Sequence, residues 1–476
     1  MSTPLPRSSP AAQQVDPRAL LTFVEAVDAD PAVELHSVMV LRHGHVVAEG
    51  WWAPHTPERT RQLYSLSKSF TSAALGLALN EGLVSLDETV VSHFPEYADD
   101  VTDRRTRSMT LRHLASMAAG HTRDLLDEVL AADPDDPVRG FLRCPPDEEP
   151  GTVFAYSQPC TYTLASILQR VTGTTLSDYL RPRLLDPLGV GETGWLTWPP
   201  GREQGFSGLF ATTEDVARLG QLLLQRGRWE GVQLLPEEYV DQATSKQVDN
   251  PHEENPDWRQ GYGFQFWMAR HGYRGDGAFG QFCIVLPEQD VVVATTGGTE
   301  QMQAVLDHLW TLLLPGLGSA VADQAAEQRL AERLSGLRLA PRLAWSAPAN
   351  PHAWAGRSFP VAASDRERAA PVVAVEVVAV DGDLEVTLAE SDNRITFPVG
   401  STDWVVSEPR DARGQRVPVA ASGGWAGEDT LHVELIFLES PHRLDVACSL
   451  SLAEAEVGWR TTPLGGAGLE SLHRPR

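Results

Sequence analysis

A chain of 476 residues exceeds what a single ordinary core takes up, so two or three cores are expected. With 42% hydrophobic and 22% charged residues it has a globular composition, and a formal charge of −25 argues against a nucleic-acid partner or an anionic membrane surface. Four scattered cysteines (Cys144, Cys160, Cys283, Cys448) show no paired spacing and read as free thiols in a reducing compartment.

The N-terminal stretch is rich in Pro, Ser and Ala and lacks the apolar core of about 7–15 residues that a secretory signal needs. No apolar run approaches the roughly 18 residues of a membrane span. A cytoplasmic location is therefore expected, with residues 1–19 as a disordered leader.

A strand pair follows, Ser37–Leu41 and Val46–Glu49, around a turn at His43-Gly44. From Ser65 to Glu81 the apolar residues Phe70, Ala73, Ala74, Leu77 and Ala78 recur at helical spacing, and Gly82 is placed to end the helix. Further helices are expected at Leu111–Ala118, Tyr162–Val171, Leu176–Leu185 and Thr213–Gln225. Strands return at Gly263–Ala269, Phe282–Leu286 and Val291–Thr296, and a helix from Glu300 to Leu314 closes this part. Strands, a helical block, then strands again make an α+β arrangement without the rhythm of a parallel sheet.

The composition changes after Pro315. Residues 322–339 read as a charged helix and 341–351 as a Pro/Ala-rich linker. Short strands follow at Val372–Val380, Leu384–Leu388, Trp404–Val406, Leu431–Phe437 and Leu444–Leu452, with a turn at Asp381-Gly382-Asp383. The expected layout is thus a leader (1–19), a first domain (20–318), a helical segment and linker (319–352), and an all-β C-terminal domain (353–470).

The chemistry concentrates in Leu63-Tyr64-Ser65-Leu66-Ser67-Lys68. A serine hydroxyl is a weak nucleophile until a base takes its proton, and positions i and i+3 of a helix share a face. Ser65 and Lys68 therefore meet, and a desolvated lysine loses its preference for the ammonium form. Only two lysines occur in the chain, Lys68 and Lys246, so about 0.13 Ser-x-x-Lys matches are expected by chance. The plain alternative is a surface lysine on an amphipathic helix.

Other segments supply context. They are Glu81-Gly82-Leu83-Val84-Ser85-Leu86-Asp87, Met109-Thr110-Leu111-Arg112-His113-Leu114, Pro150-Gly151-Thr152 with Tyr156-Ser157-Gln158, Asp186-Pro187-Leu188-Gly189, Ser207-Gly208-Leu209-Phe210-Ala211-Thr212-Thr213-Glu214-Asp215, and Gly277-Ala278-Phe279-Gly280. In this order they resemble the serine β-lactamase and penicillin-binding-protein superfamily, above all its class C β-lactamase and esterase branch, from about residue 36 to 315.

The resemblance implies an antiparallel sheet flanked by helices with a helical lobe. It implies Ser65 as nucleophile, Lys68 and Tyr156 as proton carriers with the base left open, and an oxyanion hole from the backbone N–H groups of Ser65 and Ala278. Gln158 stands where the family has asparagine. The third family motif, a cation followed by Thr-Gly, is replaced by Gly275-Asp276-Gly277, so substrate contacts are assigned to Gln158, Asp276 and Gly277. An acid in place of a cation disfavours anionic substrates. Arg274 is a poor stand-in, because strand neighbours point to opposite faces.

Trp258, Phe266 and Trp267 are open between pocket wall and core. The expected function is a serine hydrolase for small esters or amides, without metal or cofactor, acting through an acyl-enzyme. The alternatives are a catalytically retired ligand- or protein-binding member and a β-lactamase or D-amino-acid peptidase. For the C-terminal domain, covering the cleft and forming a homodimer both stay open.

Overall fold

The computed structural model describes residues 3–318, 322–343, 350–362, 369–380, 383–465 and 468–475. Asp381 and Gly382 of the Asp381-Gly382-Asp383 turn and most of the 341–351 linker, with Trp345, lie outside them. The chain divides into two compact units, one of residues 1–50, 63–297 and 301–335, the other of 51–62, 298–300 and 336–476.

The first unit begins with helix α1 (Pro17–Ala29), capped by the Asp16 carboxylate on the Arg18 N–H. Strands β1 (Leu35–Arg42) and β2 (His45–Trp51) form the expected hairpin. Helix α2 (Ser67–Asn80) is preceded by a tight turn at Tyr64–Leu66, and α3 spans Gln158–Thr172. Helix α4 (Thr213–Leu224) opens on a capping box between Thr212 and Asp215. Strands β3 (Trp267–Met268), β4 (Tyr273–Gly277), β5 (Gln281–Leu286) and β6 (Val291–Gly297) complete one six-stranded sheet, in the order β2-β1-β6-β5-β4-β3. Its described ladders from β1 through β6, β5 and β4 to β3 are antiparallel. Helix α5 (Met302–His308) and helix α6 (Gln324–Ser335) finish the unit.

Helix α2 is the axis of this unit, with every residue from Ser67 to Ala78 buried. A helix enclosed on all sides has no polar face for water, so its hydroxyls must find partners inside. Ser67 Oγ accepts from the Leu209 N–H (3.0 Å), Thr71 Oγ1 donates to Gly205 O (2.8 Å) and Ser72 Oγ donates to Phe264 O (2.7 Å). These bonds bring two distant loops to the N-terminal end of the helix, where Ser65 and Lys68 sit.

Three expectations change. Residues 3–16 are ordered, not a disordered leader: Leu5 and Val15 are buried, and Ser8 N–H bonds Val46 O at 3.0 Å. The 322–339 helix is α6, which packs on α1 within the first unit through Ala326 and Leu330, with an Arg333–Asp28 ion pair. The helix agrees with the expectation, but its place in the first unit does not, because its narrow apolar stripe gives no sign of the neighbour it packs on. The run 263–269 yields a strand of only two residues, because Gln265 adopts a left-handed backbone conformation (φ +68°) that breaks the extended run.

The second unit is all-β. Strands β7 (Arg357–Pro360), β8 (Ala374–Val380), β9 (Asp383–Ala389) and β10 (Arg394–Val399) form a four-stranded sheet. Strands β11 (Val405–Ser407), β12 (Val419–Trp425), β13 (Thr430–Phe437), β14 (Arg443–Ser449) and β15 (Glu454–Thr461) form a five-stranded one. Alternate residues of the strands fill one core containing Trp354, Phe359, Phe397, Leu431 and Trp459. Residues 51–62 belong here, not to the first unit: Arg61 Nη1 donates to Leu438 O (2.9 Å), and Gln62 N–H to Glu439 O (2.8 Å).

Replacing fully buried Leu75 of α2 by alanine is expected to cost about 2–5 kcal/mol, measured by urea unfolding, with activity per folded molecule reduced as well.

Candidate active site

Tyr64 occupies the left-handed region (φ +49°), a conformation that costs a non-glycine residue energy and that clusters at functional sites. Its ring is held edge-on by Phe279 at 5.3 Å, and Phe279 itself has φ +69°. This turn presents Ser65, half-exposed, just ahead of α2. One turn on, Lys68 is 1% exposed and its Nζ reaches Ser65 Oγ (3.1 Å), Gln158 Oε1 (2.7 Å) and Phe206 O (2.8 Å). Nζ also lies 4.8 Å from the centre of the Tyr156 ring.

Burial brings the Lys68 pKa down to about 7, against the opposing pull of Asp124 and Asp276. Near neutrality a substantial share of the amine is therefore unprotonated beside the serine. Tyr156 behaves oppositely. Burial and the Asp276 charge push its phenol well above the ordinary value, and the Ser65 hydroxyl and Arg274 only partly oppose them. Its ring stacks on Trp267 (5.0 Å, 22°) and meets Tyr262 edge-on (6.1 Å). The two groups are thus poised in opposite states, an amine able to take a proton and a phenol able to give one.

The first residue of α3 is Gln158. Its longer side chain keeps the contact with Lys68, and its N–H is capped by Asp124 Oδ1 at 3.0 Å. Ala278 directly follows β4, and Gln281 Nε2 holds its carbonyl at 3.1 Å. Gly277 lies so close to the serine turn that a Cβ there would sit 2.0 Å from Leu63 O. At Gly275 a Cβ would sit 2.2 Å from Ser69 Oγ. Close approach of β4 to the turn demands both glycines and leaves no room for a cation at position 275.

Asp276 is 6% exposed and is paired with Arg274, Nε to Oδ2 at 3.0 Å. Arg274 does stand 180° from Gly275 along the strand, as expected, but that places it on the same face as Asp276. It is wholly buried, lies 4.2 Å over the Trp258 ring, and donates through Nη1 to Asp257 O (2.8 Å). Asp257 gathers Arg270, Gln303 Nε2 (2.7 Å) and Trp310 Nε1 (3.0 Å). Burial raises its pKa, but these donors outweigh it and bring it down to about 2. Trp267 is a ring of the site wall and Phe266 is core, edge-on to Tyr273 at 6.1 Å.

Sequence reasoning missed Phe206, which acts through a backbone carbonyl, and Asp124, which carries no local motif. Phe206 directly precedes the quoted Ser207-Gly208-Leu209 run, a signal of position only.

With this geometry in view, the comparisons give the class first. A family model described as Beta-lactamase matches residues 23–310. The chain belongs to this family of serine hydrolases. Among its relatives, a β-lactamase of Escherichia coli K12 is 25% identical over 214 residues, 39% of this chain and 55% of that protein. The 6-aminohexanoate-dimer hydrolase of Paenarthrobacter ureafaciens is 25% identical over 281 residues, 54% of this chain and 70% of its own length. Lovastatin esterase of Penicillium rubens is 29% identical over 28% of this chain and 38% of that one. The chain thus spans about half the length of the first relative and under two fifths of the third. A Bacillus anthracis structure, provisionally assigned as a 6-aminohexanoate-dimer hydrolase, superposes with a TM-score of 0.53 at 21% identity, covering 65% of this chain and 86% of that one. It shares the fold. No helix among the described residues is long and apolar enough to cross a membrane.

Two outcomes follow. Gly277→Ala is expected to abolish labelling of Ser65 by a fluorophosphonate while the protein stays folded by circular dichroism. For Asp257, the folded pKa of about 2 lies below its ordinary 3.8, so its stabilisation is complete above about pH 4 and is lost as pH falls toward 2. Asp257→Asn should flatten that part of the acid-unfolding curve while lowering stability at pH 7.

Proposed function

We propose that the protein hydrolyses small ester or amide substrates through a covalent acyl-enzyme on Ser65. The observation that carries this reading is the buried Lys68 amine, 3.1 Å from Ser65 Oγ with its pKa lowered to about 7. In the neutral form its lone pair takes the Ser65 proton as Oγ attacks the substrate carbonyl carbon. The oxyanion forms between the N–H groups of Ser65 and Ala278. The Tyr156 phenol gives its proton to the departing alkoxide or amine and recovers one from the Lys68 ammonium. Water then attacks the ester, with the same groups running in reverse.

The charge around the site favours uncharged or cationic substrates. Asp124 acts on Lys68, the Asp276 charge is matched by Arg274, and position 275 has no space for the cation that would greet a carboxylate. The names of the relatives, a dimer hydrolase and an esterase among them, are in keeping with acyl chemistry.

Intact mass after incubation with a fluorophosphonate tests the reading: wild type should gain one adduct and Ser65→Ala none. An unlabelled, well-folded wild type would point instead to a retired, ligand-binding member. Because Lys68 must be neutral, kcat/KM for p-nitrophenyl acetate should rise with pH through about 7 and then stay level to at least pH 9, since the phenol remains protonated there. An acetate ester carrying a quaternary ammonium should be turned over at least about tenfold better than one carrying a carboxylate.

A further inference from the structure

The Arg274–Asp276 pair is the chief departure from the family's third motif, and its surroundings say what it acts on. In the β3–β4 ladder Trp267 stands directly opposite Arg274. Asp276, two residues on, shares that face. Both members of the pair are buried, at 0% and 6% exposure, which shields them from solvent. Trp258 closes over the guanidinium (4.2 Å) and meets Trp267 edge-on (6.5 Å). Asp257, locked by three donors of its own, fixes Arg274 from behind. Burial raises the Asp276 pKa, and the Arg274 guanidinium, Lys68 and, more weakly, the Trp267 indole oppose that shift. The other side of Trp267 stacks on Tyr156 at 5.0 Å.

We propose that Arg274, Asp276 and Trp267 are positioning residues for Tyr156: the buried ion pair fixes the indole, and the indole fixes the plane of the phenol that protonates the leaving group. This deepens the hydrolase reading and rests on it. It also moves Asp276 out of the set that touches substrate. The chain of contacts is Asp257–Arg274–Asp276–Trp267–Tyr156, and every member is on the same unit as Ser65. A tyrosine ring stacked on one rigid face has one allowed plane, so its hydroxyl is held where proton transfer needs it. The charges acting on that phenol are Asp276, Asp124 and Arg274, with Lys68 Nζ 4.8 Å from the ring centre, so the pair supplies one of each sign and adds little net field of its own.

The test compares two neutral acetate esters that differ only in leaving group, p-nitrophenyl acetate and phenyl acetate. The first expels an anion that needs little protonation; the second depends more on a proton donor. Trp267→Leu leaves the ion pair in place and is expected to lower the single-turnover rate of Ser65 acylation by phenyl acetate about tenfold more than by p-nitrophenyl acetate, with the half-saturating ester concentration within about twofold of wild type. Trp267→Phe retains a stacking ring and should recover most of the loss. Asp276→Asn should behave as a milder Trp267→Leu, again in the acylation rate. Equal losses of acylation rate on both esters in folded Trp267→Leu would mean a merely structural ring and overturn the proposal. A change confined to the half-saturating concentration in Asp276→Asn would overturn it too, by placing Asp276 on the substrate. If wild type neither turns over these esters nor takes a fluorophosphonate on Ser65, the hydrolase reading fails and this one with it; a normal wild type with proportional losses removes this one alone.

Discussion

The site depends on taking one amine out of water. An ammonium loses far more on burial than the neutral amine does, so enclosing Lys68 shifts its proton equilibrium toward neutrality. Three acceptors remain around Nζ, which keeps the cost of its polar groups bounded in either protonation state. The fold pays for this with an axial helix that has no solvent face. Ser67, Thr71 and Ser72 then tie the surrounding loops to it, and one of those loops delivers the Phe206 carbonyl.

The same burial separates the two groups proposed to carry protons. Lys68 and Tyr156 sit in one low-dielectric pocket, yet desolvation favours the neutral form of each, an amine in one case and a phenol in the other. A base and an acid arise from one physical cause without any special partner for either. The carboxylates nearby temper the shift of the lysine and reinforce that of the tyrosine.

Spacing alone made Ser65 and Lys68 legible, because i, i+3 on a helix is a local rule, and the rarity of lysine sharpened it. The roles proposed for Tyr156, Gln158 and Ala278 came by resemblance, since they lie far along the chain. The alternation of strands, helices and strands foretold the α+β fold and the later all-β region. Asp124, Phe206 and the Arg274–Asp276 pair were beyond local reading: they act through a backbone carbonyl, a cap across 34 residues, or an ion pair whose burial depends on Trp258 and Asp257. Residues 3–16 and 51–62 likewise hold their places through partners hundreds of residues away, such as Glu214 for Leu5 and Leu438 for Arg61, and no local composition announces that.

The two lysines of the chain make the central claim directly measurable. In protein labelled with ¹³C at lysine Cε, the resonance lost in Lys68→Met belongs to the site. The account predicts that it titrates near pH 7 in wild type. A titration above pH 10 would mean a permanently charged amine, and would contradict Lys68 as the base that activates Ser65.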